Sequence, residues 1–186
     1  MAARDGLIQS AIDLMRRNGI AGTGVTQLVE HSGRSRRAIY LNFPGGKSEL
    51  VAEATRVAGR AMEGLIATFT GNPRDALLAF GESWRHVLQS SDFAAGCPIV
   101  AAALGRSESA AAADAASEAF DRWATLLAER LDAEHVPSGT AKSLATTIVA
   151  AIEGAVVLSV AAQSTAPLDS TIKHMTELVE LHTAQR

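Results

Sequence analysis

An all-helical fold follows from three observations on this chain of 186 residues. Apolar residues recur every three or four positions along most of its length, without the strict apolar/polar alternation of a half-buried strand. Glycine and proline fall mostly between these periodic stretches, where they stop one helix and start the next. Alanine dominates a composition that is 47% hydrophobic and 20% charged, ordinary for a folded globular protein. About nine helices are predicted. A three-helix helix-turn-helix head would occupy residues 1–46, and a helical bundle suited to ligand binding and dimerisation residues 47–186.

The first helix is carried by Leu7, Ile8, Ala11, Ile12, Leu14 and Met15, and stopped by Asn18-Gly19. Val25, Leu28 and Val29 mark one side of a short second helix that starts at Thr23 or Gly24 and closes at Ser32-Gly33. Ser35 can cap a third helix reaching Asn42, which leaves a turn of about three residues centred on Gly33. After Phe43-Pro44-Gly45-Gly46, the stripe Leu50, Ala54, Val57, Ala61, Leu65 and Phe69 defines a long fourth helix, ended by Gly71-Asn72-Pro73. Further helices are expected over 74–90, 98–104, 107–132, 138–163 and 168–183. Pro98, Pro137 and Pro167 stand at their starts, where proline is tolerated.

Charge is unevenly distributed. Residues 1–60 hold nine Lys/Arg against five Asp/Glu, a net +4, whereas 61–186 hold eight against fifteen, a net −7. A basic front on an acidic body suggests that only the front meets a polyanion. The N-terminus lacks a basic region followed by an unbroken apolar run, and the single cysteine, Cys97, cannot form an intramolecular disulfide, so a cytoplasmic protein is expected. Residues 144–162 are almost long enough to cross a bilayer, but Glu153 stands at their midpoint. A doubly buried helix of a soluble protein is expected there, with no membrane contact.

Within 23–50, a short helix, a tight turn and a second short helix make a geometry that braces one helix in a DNA major groove. Arg36 and Arg37 fall in the first turn of the third helix, where a planar guanidinium can read guanine or clamp a phosphate. Tyr40 can reach a phosphate through its hydroxyl, Lys47 brings a cation to a helix N-terminus, and Thr26 is a further phosphate candidate. Each residue taken alone also suits an ordinary solvated surface or, for Tyr40, a core rim. Ile39 and Phe43 are expected to pack back on Ile12, Leu28 and Val29.

The frame Gly33, Ser35, Ile39-Tyr40, Phe43 and Lys47-Ser48-Glu49-Leu50 resembles the signature of the TetR family of bacterial regulators. That resemblance implies a DNA-binding head, a linking fourth helix, a divergent helical body and a homodimer built on the last two long helices. It also implies operator contacts at Arg36, Arg37, Tyr40 and Lys47. The chain departs from the pattern at Val29, where alanine is usual, and at Leu41 and Asn42, where basic residues or histidine are common. Asn42 is counted with the DNA contacts, as a weaker one. The extra glycine before Lys47 resembles a branch that also carries a Gly-Cys-Pro element, matched by Gly96-Cys97-Pro98.

Other chemistry is poorly supported. Gly46-Lys47-Ser48 looks like the end of a phosphate-binding loop, but Leu41 replaces the glycine such a loop needs. The five histidines show no ligand spacing, and no catalytic set stands out, so neither a metal, a cofactor nor an enzymatic activity is expected. Phe80, Trp84, Gln89, Phe93, Phe120 and Trp123 could line a site for a small-molecule effector, or could simply be core. The apolar face of 144–162 around Gly154, with His174, Leu178 and Leu181, suits a two-fold four-helix interface or burial within one chain. The reading is a ligand-responsive repressor that leaves a pseudo-palindromic double-stranded operator when a small molecule binds. The alternative is a helical enzyme or carrier whose head is only an interaction module.

Overall fold

The computed structural model describes residues 2–69 and 71–183, and these form nine α-helices and no strand. They are α1 (Ala2–Asn18), α2 (Val25–Ser32), α3 (Arg36–Asn42), α4 (Gly46–Thr68), α5 (Pro73–Ser90), α6 (Pro98–Leu104), α7 (Ala110–Ala133), α8 (Ser138–Ala162) and α9 (Ala166–Thr183). The helices gather into two compact units. One comprises the chain up to Ala61 with Gly96–Ala119; the other comprises Met62–Ala95 with the chain from Phe120 onward. Both α4 and α7 therefore run, without a break, from one unit into the other.

In the first unit the apolar stripe of α1 supplies Leu7, Ala11 and Met15, all fully buried. Leu28 of α2, Ile39 of α3, Phe43 behind it and Leu50 and Val51 of α4 complete the core. Ile12 and Val29, expected in the same cluster, lie half-buried at its edge. Gly33 makes the sharp turn possible: it closes α2 at φ +63°, a left-handed conformation that costs glycine nothing. Ser35 then caps α3 by accepting from the Ala38 N–H at 3.2 Å. Arg4 spans α1 to α4, with its guanidinium 5.2 Å from the Phe43 ring centre and 3.3 Å from the Glu53 carboxylate.

The element around Cys97 belongs to this unit. Gly96 N–H donates to the Arg16 carbonyl at 3.0 Å, and Arg16 Nε donates back to the Gly96 carbonyl at 3.0 Å. This pair satisfies a carbonyl in the last turn of α1 that has no partner further along the helix. At the other end of α6, a Cβ on Gly105 would stand 2.5 Å from Ile20, so only glycine admits that approach. α7 begins at Ala110, not at the expected residue 107. Glu108 N–H closes a turn on the Gly105 carbonyl at 3.0 Å, and Ser109 accepts from Ala112 N–H at 3.3 Å as the capping residue.

In the second unit α9 packs between α5 and α8. Gly81 lets α5 approach Ile172 so closely that a Cβ there would meet it at 2.7 Å. Arg85 reaches Asp169 at 2.7 Å, and Ser159 accepts the Leu168 N–H at 3.3 Å, fastening both ends of the α8–α9 connection. α8 is long and apolar enough to span a membrane by length and composition alone. Within one chain its burial is one-sided: Leu144, Ile148, Ile152 and Val156 are buried, but Val157 and Leu158 are 51% and 59% exposed. The expectation of burial on both faces is met on only one, because no other described helix of this unit covers the second.

Candidate nucleic-acid interface and ligand cavity

The seven residues of α3 divide by side. Ile39 is fully buried against the head, whereas Arg36, Arg37, Tyr40 and Leu41 are exposed, the last at 70%. Residues four apart stack on a helix, so Arg36 lies over Tyr40 and Arg37 over Leu41, giving one continuous outward surface. Arg34, in the turn, is exposed beside them, and its backbone N–H is held by Ser32 Oγ at 3.2 Å. Thr26 is exposed near the start of α2. Asn42 is half-buried and donates through Nδ2 to the Ala38 carbonyl at 2.8 Å, so its amide is folded back on its own helix.

The Tyr40 ring is positioned by the start of α4. Gly46 adopts φ +67°, and a Cβ there would stand 3.1 Å from Tyr40 Cε1. Glu49 accepts the Gly45 N–H at 2.7 Å, which satisfies one donor before the helix begins and fixes its first turn. Lys47 follows immediately, half-buried along its stem. Tyr40 and Lys47 are thus brought to one place by a loop that only glycine can make. Arg34 and Leu41 join this surface although the sequence pattern did not single them out as contacts; their exposure beside Arg37 is the signal that does.

In the second unit, residues of five helices line a cavity of about 60 Å³. Ile66 comes from the end of α4 and Phe69 from just after it, Pro73, Ala76, Leu77 and Phe80 from α5, and Val179 from α9. α7 supplies Trp123, Leu127, Arg130 and Leu131; α8 supplies Ile148, Val149, Ile152 and Glu153. Phe69 meets Phe80 edge-on, centroids 6.0 Å apart. Arg130 donates to the carbonyls of Phe69 and Ala67, the second at 3.2 Å, and so closes the C-terminal end of α4.

Of the six residues proposed for the effector, Phe80 and Trp123 line this cavity. Phe120 backs Trp123 in an edge-to-face pair at 5.3 Å. Trp84 is buried one turn beyond Phe80, and its Nε1 has no hydrogen-bond partner. Gln89 is exposed at the end of α5, and Phe93 is half-buried in the following loop at φ +54°; neither borders the cavity. Phe69, Arg130 and Glu153 were not assigned to the effector site, because they border one cavity only in the folded unit. A signal for Glu153 did exist: it is a charge at the centre of an apolar helix.

The profile of bacterial regulatory proteins of the tetR family matches residues 7–54, and that of the LmrA/YxaF-like transcriptional regulator C-terminal domain matches residues 73–174. The HTH-type transcriptional regulator Rv0196 of Mycobacterium tuberculosis is 32% identical, covering 95% of this chain and 93% of its own. This chain belongs to the TetR family of transcriptional regulators. The HTH-type regulator LmrA of Bacillus subtilis is 28% identical over 89% of this chain and 90% of its own. Among solved structures, the regulatory protein TetR from Rhodobacter sphaeroides superposes with a TM-score of 0.84 at 14% identity, covering 95% of this chain and 98% of that one. Escherichia coli NemR in its reduced form gives 0.77 at 21% identity, with 93% and 95% covered; these two likenesses speak for the fold. TetR-family members are DNA-binding regulators that act as dimers, and repression responsive to a small molecule is their general behaviour.

Proposed function

We propose that this TetR-family regulator represses transcription by setting α3 of each protomer into successive major grooves of a pseudo-palindromic operator, about 34–36 Å apart. The observation that carries the reading is the exposed row Arg36, Arg37, Tyr40 and Leu41 on α3, continued by Lys47 at the start of α4. Arg36 and Arg37 are the base-reading groups; Tyr40, Lys47 and Thr26 hold the phosphate backbone; Asn42, bonded to its own helix, contributes least. Functionally, residues 1–46 read DNA and residues 47–186 bind effector and partner. Such a protein works where the chromosome is, in the cytoplasm.

The cavity lined by Phe80 and Trp123 is the effector site in this reading. At about 60 Å³ it holds a few water-sized molecules, well short of the roughly 300–1,000 Å³ that drug-sized ligands occupy. A larger ligand must therefore favour a state in which the five surrounding helices stand further apart, and that difference in affinity is what can shift a population. Because α4 and α7 run unbroken between the two units, the widened state differs in helices that the head shares.

Selection of bound sequences from a random DNA pool tests the proposal. An inverted repeat with half-sites one helical turn apart is expected, and Arg37→Ala should weaken its enrichment and relax the preference at one base pair while leaving thermal unfolding unchanged. Recovery of no preferred sequence, or of a single unrepeated site, would overturn it.

A further inference from the structure

We infer that Leu41 is a specificity-determining contact: it reads the 5-methyl group of a thymine no more than two base pairs from the base pair that Arg37 reads. The inference rests on the reading of α3 as the helix that enters the major groove, and adds which base its apolar side chain selects. Among the described residues of α1 to α4, the exposed large hydrophobic side chains are Tyr40 and Leu41, at 48% and 70%, side by side on α3. Tyr40 carries a hydroxyl and its ring is set by Gly46, but Leu41 has neither a donor nor an acceptor. An exposed leucine says little on an ordinary surface. This one stands at the centre of the surface that faces DNA.

Ile39 fixes where that centre lies. Successive residues of an α-helix are about 100° apart around the axis. With Ile39 fully buried, Arg37 and Leu41 each fall about 160° from it, one on either side of the line that points away from the head. Arg36 and Tyr40 lie about 60° and 100° from Ile39 on one flank, and the half-buried Asn42 and Ala38 lie at the same angles on the other. The floor of the groove therefore meets Arg37 and Leu41 first. Four residues of helix rise about 6 Å and successive base pairs about 3.4 Å, so the two side chains address positions no more than two base pairs apart.

The two are suited to different groups. Arg37 finds hydrogen-bond acceptors at base edges or on phosphate, whereas Leu41 gains only by covering apolar surface. Among the groups that distinguish base pairs in the major groove, the thymine methyl is the apolar one. Against an adenine amino group or a guanine oxygen, Leu41 would strip water from a polar atom and return no hydrogen bond. Selection is therefore for the methyl itself and not for the hydrogen-bonding pattern of an A·T pair. Two bases separate these properties. Uracil keeps every hydrogen-bonding atom of thymine without the methyl, and 5-methylcytosine places the same methyl on a G·C pair.

The probe is the operator duplex returned by selection from random DNA, with each thymine replaced in turn by uracil and titrated with the full-length protein by fluorescence anisotropy. Uracil at one position, no more than two base pairs from the pair whose preference Arg37→Ala relaxes, should weaken binding about fourfold in one half-site and about fifteenfold in both. Cytosine at that position should bind about fourfold more weakly than 5-methylcytosine. Leu41→Ala should bind thymine and uracil duplexes within about 1.5-fold of each other, and Leu41→Met should keep a preference for the methyl of about twofold or more. Leu41 is exposed, so neither change should move the melting temperature. Indifference to uracil at every thymine, an operator with no thymine in reach, or a uracil penalty that persists in Leu41→Ala would overturn the inference and leave α3 as the reading helix. Recovery of no operator at all removes that reading as well.

Discussion

At Gly46 two requirements meet in one residue: a left-handed backbone, φ +67°, and a missing Cβ 3.1 Å from the Tyr40 ring. Gly46→Ala forces a strained conformation costing roughly 1–2 kcal/mol and displaces the ring that holds the recognition surface to α4. A lowered melting temperature together with weaker operator binding by fluorescence anisotropy is expected; a change in neither would show that the loop tolerates a side chain. Arg37 and Lys47 should fail differently. Arg37→Ala should cost about 1–3 kcal/mol on the operator and relax the preference at one base pair, whereas Lys47→Ala should weaken all sequences alike and reduce the salt slope by about one. Titrations on operator and scrambled DNA at several salt concentrations distinguish the two. These residues were legible in the sequence because the motif is local: Gly33, Ser35, Tyr40 and Lys47 lie within one turn-helix-turn. The meeting of Glu153, Arg130 and Phe69 at one cavity was not, because they come from three segments far apart in the chain, and periodicity assigns a residue to a face without naming what that face meets.

Elements were legible wherever their ends carry their own chemistry. Ser35 over Ala38, Asn72 over Asp75 and the prolines that open α5 and α6 place helix starts by hydrogen bonding and fixed φ alone. The start of α7 was misplaced because 107–109 offers serine twice, and the choice between them is tertiary. Ser109 is buried and bonded to Ser48 of α4 at 3.2 Å, whereas Ser107 is exposed. Ser109→Ala should therefore cost about 1 kcal/mol or more, losing a cap and a bond between two helices, while Ser107→Ala should stay within about 0.5 kcal/mol of wild type. Urea unfolding of the two variants measures the contrast; equal effects would mean that the cap contributes nothing.

For the whole molecule, the question left by one chain is what covers the outer face of α8. That face reads Thr147, Ala150, Gly154, Val157 and Leu158, small residues followed by two exposed hydrophobic ones, and Leu181 of α9 is 65% exposed. A second protomer is the occupant that the family's dimeric habit supplies, and glycine is the residue that lets two helices approach closely. Gly154 gives a test whose sign depends on the answer. Within a single chain a Cβ at Gly154 meets nothing within 4 Å, as at Gly64 of α4. Replacing an exposed mid-helix glycine by alanine stabilises a helix by roughly 0.8–1 kcal/mol, so in a monomer both substitutions should raise the melting temperature. If α8 packs on its counterpart, Gly64→Ala should still stabilise, but Gly154→Leu should push two backbones apart. It should lower the molecular mass in light scattering toward that of one chain and cost the operator the affinity that comes from engaging both half-sites at once. A Gly154→Leu protein that gains stability, keeps its mass and holds its operator would place the dimer contact elsewhere on the body.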